Sequence, residues 1–388
     1  MDKIDPIMFS PIFTERNLFK NFDITFSVPV YWYTELIDDK ILDHIGSETF
    51  VNDIKNNNGI LIFDHSMDPI RQYLLEKNDN WIKICDFFNT HDLPMNQVIV
   101  VSPLPAEDFF KSTPQLYVSN FKSLSFKKTT NYVQWNSLWF LYRFTHKRIF
   151  RRSFDFSSHH YLCLSRRDSL SRRFTNYLLH KNKVFSKGLV SHLRIEENGM
   201  VKDTFDHKME FDMLRSRDCF DPLLFIKYGY MKHMADGPQE DKALATSDYN
   251  MYDNLIDQCC FDLVVETDPM TNFFITEKTF KPIVAGTPFL IIGPPYTLRY
   301  LRKLGFKTYS DIFDESYDDI PVYYDRVNAV FKNVKKLCDM SLKDCEKLME
   351  SVSHIAEHNQ DVFFSISWTF NFNKKIQNKI DEILSNRS

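Results

Sequence analysis

Short apolar runs alternate with amphipathic stretches along the chain, a rhythm that predicts strands joined by helices in parallel sheets, an α/β fold. Gly59 to Phe63 (GILIF), Gln97 to Val101 (QVIVV), Tyr161 to Leu164 (YLCL), Phe261 to Val265 (FDLVV) and Pro288 to Ile292 (PFLII) have the length of buried strands. Asp23 to Val30 (DITFSVPV) alternates apolar with polar positions and predicts another, and Phe306 to Tyr309 reads as an edge strand. Ile70 to Phe88 repeats its apolar residues at helical spacing and predicts a crossover, making a βαβ unit with the strands on either side. Helices are also predicted over Tyr132 to Phe150, over Arg172 to His180 and through most of Arg326 to Leu384, the last around Phe370 to Leu384.

The length of 388 residues suits two domains. A polar interval, Ser153 to Ser158, separates them just before His159-His160, so the expected lobes are 1–157 and 158–388. Glu196 to Thr246 is polar and irregular and predicts loops and short helices. A hydrophobic content of 43% argues for a folded globular protein, and no stretch approaches the roughly 20 apolar residues of a membrane helix, so a soluble protein is expected. The first residues lack the apolar core of a signal peptide, and seven cysteines without a C-x-x-C pair suit a reducing compartment, so a cytoplasmic location is expected. The formal charge of −4 gives no global attraction to nucleic acid.

Candidate chemistry collects where predicted strands end. After Phe261 to Val265 come Glu266, Thr267 and Asp268; then Thr276 can cap a helix whose first turn holds Glu277 and Lys278 and which Gly286 ends, with Pro282 keeping it short or kinked. A helix start with a lysine suits an anion, and a neighbouring glutamate can accept from hydroxyls, so phosphate and ribose are the natural ligands. Gly286, Gly293 and Gly305 fall close together in a chain with only nine glycines. Tyr161 to Leu164 runs into Ser165-Arg166-Arg167-Asp168-Ser169 and a helix, a second diphosphate candidate in which Arg166 and Arg173 are favoured and Arg167 and Arg172 compete. Gly59 to Phe63 delivers Asp64, His65 and Asp68 just beyond a strand end, where Asp64 or Ser66 either caps the next helix or serves catalysis. Arg143, Lys147 and Arg151, joined by Arg148 and Arg152, would share one helix face, either solvated or open to a polyanionic acceptor. Asp311, Asp314, Glu315, Asp318 and Asp319 match no metal loop and read as a solvated acidic segment.

Glu266-Thr267, Phe274-Ile275-Thr276-Glu277-Lys278 and Ala285-Gly286-Thr287-Pro288-Phe289 resemble the donor-binding motif of the α1,3-fucosyltransferase-like glycosyltransferases. They are similar also to uncharacterised glycosyltransferase-like proteins of tailed phages. The resemblance covers about residues 158–315 and is specific around 266–293. It implies a GT-B type architecture of two facing Rossmann-like lobes with a C-terminal helix. The donor is then a nucleotide sugar, with Glu277 on the ribose, Lys278 on the diphosphate, and an arginine from the segment after Tyr161 to Leu164. The chain has no Asp-x-Asp motif, which disfavours a metal-centred transferase, so no metal and no cofactor are expected. Acceptor and base are then expected from the N-terminal lobe, with Asp64, His65 and Asp68 as candidates. The acceptor is a glycan or, in a phage DNA-modifying enzyme, a hydroxymethylated base. A nucleotide-sugar-binding protein without catalysis is the reading from another class.

Overall fold

The structure is a computed structural model and describes residues 28, 30–34, 47–64, 90–102, 131–134, 157–165, 169–192, 196–197, 200–201, 220–229, 231, 253–267, 269–270, 275–365 and 367–386. The chain divides into two compact units, Met1–Phe140 with Ile366–Ser388, and Leu141–Ser365. Both are mixed α/β and built on parallel sheets.

In the first unit the order along the chain is β1 (Val30–Thr34), α1 (Glu48–Asn56), β2 (Ile60–Asp64), β3 (Val98–Ser102) and β4 (Asn131–Gln134). These strands lie in that same order in one parallel sheet, in register at Val30↔Ile60, Leu61↔Val98 and Ile99↔Asn131. α1 forms where Ser47 caps Phe50 N–H at 3.3 Å, and it buries Phe50 and Ile54, one turn apart. Ile60, Leu61 and Ile62 are all buried, as strands covered on both faces require.

The second unit follows with β5 (His159–Ser165), α2 (Leu170–Lys181), β6 (Gly188–His192), a small hairpin of β7 (Glu196–Glu197) and β8 (Met200–Val201), α3 (Pro222–Gly229) and α4 (Asp253–Ile256). It continues with β9 (Cys259–Val265), α5 (Glu277–Ala285), β10 (Phe289–Ile292), α6 (Thr297–Lys303), α7 (Tyr323–Cys338), α8 (Leu342–Glu350) and α9 (Ser353–Phe364). Its main sheet has the order β10-β9-β5-β6, all parallel. The first strand is therefore internal, and the chain winds from β5 through α2 toward one edge and from β9 through α5 toward the other. The carboxyl ends of β5 and β9 form a topological switch point, the place where open parallel sheets bind ligands. β5 and β6 approach closely because Gly188 has no side chain; a Cβ there would come within 2.4 Å of the Tyr161 ring.

The last helix, α10 (Ser367–Ser385), expected at the end of the 158–388 span and as a segment folding back across both lobes, packs on the sheet of the first unit. Its Ile376, Ile380 and Ile383 recur at i, i+4 and i+7 and join Ile60, Ile62, Ile99, Val101 and Val133 in one core. Each buried isoleucine contributes roughly 2 kcal/mol.

Several predicted elements differ or fall outside the description. Tyr132 to Gln134, expected to open a helix, belongs to strand β4, and 135–150 lies outside the described residues. The crossover helix over 70–88 and all but Val28 and Val30 of the run 23–30 are outside as well. Phe306 to Tyr309 forms no strand: the side-chain amide of Asn359 accepts from Lys307 N–H at 2.8 Å and donates to Lys307 C=O at 2.9 Å. Those groups are satisfied without a neighbouring strand.

Candidate ligand site at the carboxyl edge of the second sheet

β9 is buried along its whole length. Glu266 continues its line, and its N–H donates to Ile292 C=O of β10 at 3.0 Å. The extended chain thus drives this carboxylate into the protein, where it is 0% exposed. Its oxygens accept from Thr276 N–H at 3.1 and 3.2 Å, from the Thr276 hydroxyl at 2.5 Å, from the Thr279 hydroxyl at 2.5 Å and from Thr267 N–H at 3.3 Å. Burial raises its pKa, as does the charge of Glu277, while Lys278 and the two threonine hydroxyls oppose the shift.

α5 begins as its sequence predicts. Thr276 is extended and its hydroxyl, which donates to Glu266, accepts from Lys278 N–H at 3.4 Å and from the Lys278 ammonium at 3.5 Å. Gly286 ends the helix in the left-handed region at φ 67°, and Thr287 N–H closes the turn on Pro282 C=O at 2.9 Å. The helix is short, ending three residues after Pro282.

Lys278 and Glu277 are the ionised groups here that reach solvent, with side chains 21% and 14% exposed. The Lys278 ammonium donates to Glu277 Oε1 at 2.5 Å and to Thr267 Oγ1 at 3.1 Å, in addition to Thr276. Burial works against ionisation of Glu277. The charges of Lys278 and Lys281, with the hydrogen bonds from Lys278 and from the glutamate's own backbone, outweigh burial and bring its pKa down to about 2. A fixed carboxylate beside an ammonium presents an acceptor for hydroxyls and a cation for an anion within one turn of helix. The backbone contributes less than the sequence suggests, because Lys278 N–H is held by the Thr276 hydroxyl and Thr279 N–H by Thr276 C=O at 3.3 Å.

α2, which follows β5, begins differently. Ser169 makes no side-chain cap; its hydroxyl pairs with the Ser171 hydroxyl at 3.0 Å, and the first turn has no acid. Ser169 C=O accepts from Arg172 N–H at 3.1 Å and Arg173 N–H at 2.9 Å. Arg172 and Arg173 are both buried, 4% and 3% exposed.

Arg326, which sequence reasoning passed over, ties the strand exits together. It is 2% exposed, and its guanidinium donates to Gly293 C=O after β10 at 2.9 Å, to Pro269 C=O after β9 at 2.7 Å, and to Ile320 and Pro321 C=O at 2.6 and 3.1 Å. One signal was present: Arg326 falls among Tyr323, Val327 and Val330 on the apolar stripe of α7, where a charge needs buried partners.

The structure places Glu266, Thr276, Glu277 and Lys278 in one contiguous network. Glu266 sits behind the helix start and organises it, out of reach of any solvent-borne ligand. Asp64 closes β2 at its carboxyl end; its side chain, with His65, Asp68 and Arg166, lies outside the described residues, as does the basic stretch 143–152. The acidic segment, expected to be solvated, is partly buried. Asp318 is 4% exposed and accepts from Leu298 N–H at 2.9 Å and Arg299 N–H at 3.0 Å, while Glu315 accepts from Arg302 at 2.5 Å and Thr308 at 2.8 Å. These acids cap and brace α6. Among the described residues no three His, Cys, Asp or Glu side chains group to hold a metal ion, and no helix is long and apolar enough to cross a membrane.

No protein-family model matches the chain, and comparison with curated proteins gives no match.

Proposed function

We propose that this chain is a glycosyltransferase of the GT-B type that moves a sugar from a nucleotide-sugar donor to an acceptor hydroxyl without a metal, the unit Leu141–Ser365 holding the donor. The observation that carries the reading is the Glu277–Lys278 pair, set by Glu266 and Thr276 at the carboxyl edge of a parallel sheet and next to its switch point. In this reading Glu277 accepts from the ribose hydroxyls and Lys278 turns from Glu277 to the diphosphate. As the acceptor oxygen bonds to the anomeric carbon, the bond from that carbon to the diphosphate breaks and its electron pair passes to the leaving oxygen, whose charge Lys278 stabilises. A base in the first unit takes the acceptor proton, and Asp64, at the carboxyl end of β2, is the first to test.

Thermal shift against a panel of nucleotide sugars tests the reading, because a ligand that binds only the folded state raises its melting temperature. A donor that stabilises the protein, is turned over with EDTA present and loses its effect in Lys278→Ala supports it. Absence of any nucleotide effect rejects it, and stabilisation without transfer or donor hydrolysis favours a non-catalytic binding protein.

A further inference from the structure

The loop after β10 holds an aromatic side chain in an unusual way. Tyr296 has φ 67° and ψ 16°, a left-handed conformation that costs free energy for a residue with a β-carbon. It is held there: its N–H donates to Asp318 C=O at 2.8 Å, and the Asp318 carboxylate caps the two N–H groups of Leu298 and Arg299 just beyond. The Arg299 guanidinium, anchored on Asp319 at 2.7 Å, lies 4.5 Å from the centre of the Tyr296 ring. Tyr161, Tyr177, Tyr309, Tyr317, Tyr323 and Tyr324 are buried, whereas Tyr296 is 41% exposed.

Its place in the fold connects it to the ligand site. Glu266 N–H bonds to Ile292 C=O, so the strand exit that carries Tyr296 begins beside the exit that carries the Glu266 network, at the strand spacing of about 4.8 Å. The left-handed backbone, the double latch on Asp318 and the Arg299 guanidinium at the ring hold a partly exposed aromatic surface at the carboxyl edge.

We propose that Tyr296 is the stacking platform for the heterocyclic base of the nucleotide whose phosphates Lys278 holds. The inference rests on the function proposed above. Arg299 braces the ring from one side, and the base lies against the other; such stacking tolerates any base because every base has a π-face.

Calorimetric titration with guanosine diphosphate, uridine diphosphate and inorganic pyrophosphate tests the assignment in the wild-type chain, Tyr296→Gly, Tyr296→Phe and Lys278→Ala. Glycine suits the left-handed backbone, so Tyr296→Gly is expected to fold with an unchanged or raised melting temperature. It loses affinity for the preferred nucleoside diphosphate about tenfold, keeps its affinity for pyrophosphate, and Tyr296→Phe restores nucleotide binding. Lys278→Ala weakens both probes. Wild-type nucleotide affinity in Tyr296→Gly alongside a loss in Lys278→Ala overturns the platform and leaves the proposed function standing. If the wild-type chain binds neither nucleoside diphosphate, the platform falls, and the panel of nucleotide sugars above decides the proposed function.

Discussion

Two helices start at the carboxyl edge of the same sheet, after neighbouring strands, and they settle their first turns in different ways. At α5 the chain supplies its own carboxylate and hydroxyls: Glu266 takes Thr276 N–H and both threonine hydroxyls, and Thr276 takes Lys278 N–H. At α2 the Ser169 hydroxyl turns to Ser171, and no acid lies in the first turn. A helix start saturated from behind no longer offers its backbone to an anion, so binding at α5 falls to the side-chain charge of Lys278. Four measurements probe the difference.

The largest effect belongs to Glu266→Ala. It strands the Thr276 N–H and two hydroxyls in a site without water access, and hydrogen bonds to a charged group are worth about 1.5–3 kcal/mol each, so a loss of roughly 4 kcal/mol is expected in urea denaturation. A midpoint close to wild type would show that α5 needs no buried anion. Glu266→Gln should lose less, since one acceptor oxygen survives.

Acid comes next. The folded pKa of Glu277 lies below its ordinary value of 4.5, so its contribution is complete above pH 4.5 and is lost as pH falls toward about 2, up to about 3 kcal/mol. Glu266 works in the other direction: its pKa is raised, so its contribution is complete below the ordinary carboxyl value and declines as pH rises through the folded one. Glu277→Gln should remove the acid-side loss between pH 4.5 and 2, and an unchanged stability profile would argue that the pair with Lys278 adds nothing.

Lys278→Ala is expected to weaken nucleoside diphosphate binding by roughly tenfold to a hundredfold, and because it leaves the mostly buried Glu277 carboxylate without its ion-pair partner it also lowers stability by part of the acid-side contribution above while the fold is kept. Calorimetry that finds equal affinities would remove Lys278 from the anion site. The smallest effect compares the caps. Thr276→Ala should cost about 1–2 kcal/mol and Ser169→Ala no more than about 0.5 kcal/mol, and equal losses would erase the distinction between the two starts.

Much of this region is legible in local sequence because its causes are local. Thr276 and Gly286 bracket α5 within one segment, and apolar runs of strand length locate β2, β3, β5, β9 and β10 to within a residue or two. Short segments that satisfy two patterns are less secure. Tyr132 to Gln134 suits a helix by spacing, yet pairs with β3, since three residues carry too little periodicity to outweigh a ladder of backbone hydrogen bonds.

The sequence by itself determined an α/β chain with strand ends rich in polar groups, and it marked Glu266, Thr276, Glu277 and Lys278 as one motif. Tertiary structure decided their division of labour. Glu266 became an internal organiser because β10 seats its backbone and Thr276 and Thr279 fold back over it, contacts ten and thirteen residues away. Arg326 draws carbonyls from three loops, Asp318 latches Tyr296 from twenty-two residues beyond, and α10 returns to a sheet whose last described strand ends more than two hundred residues earlier. Each depends on which surfaces remain to be buried and which polar groups remain to be satisfied once the sheets exist, and local periodicity carries no record of either.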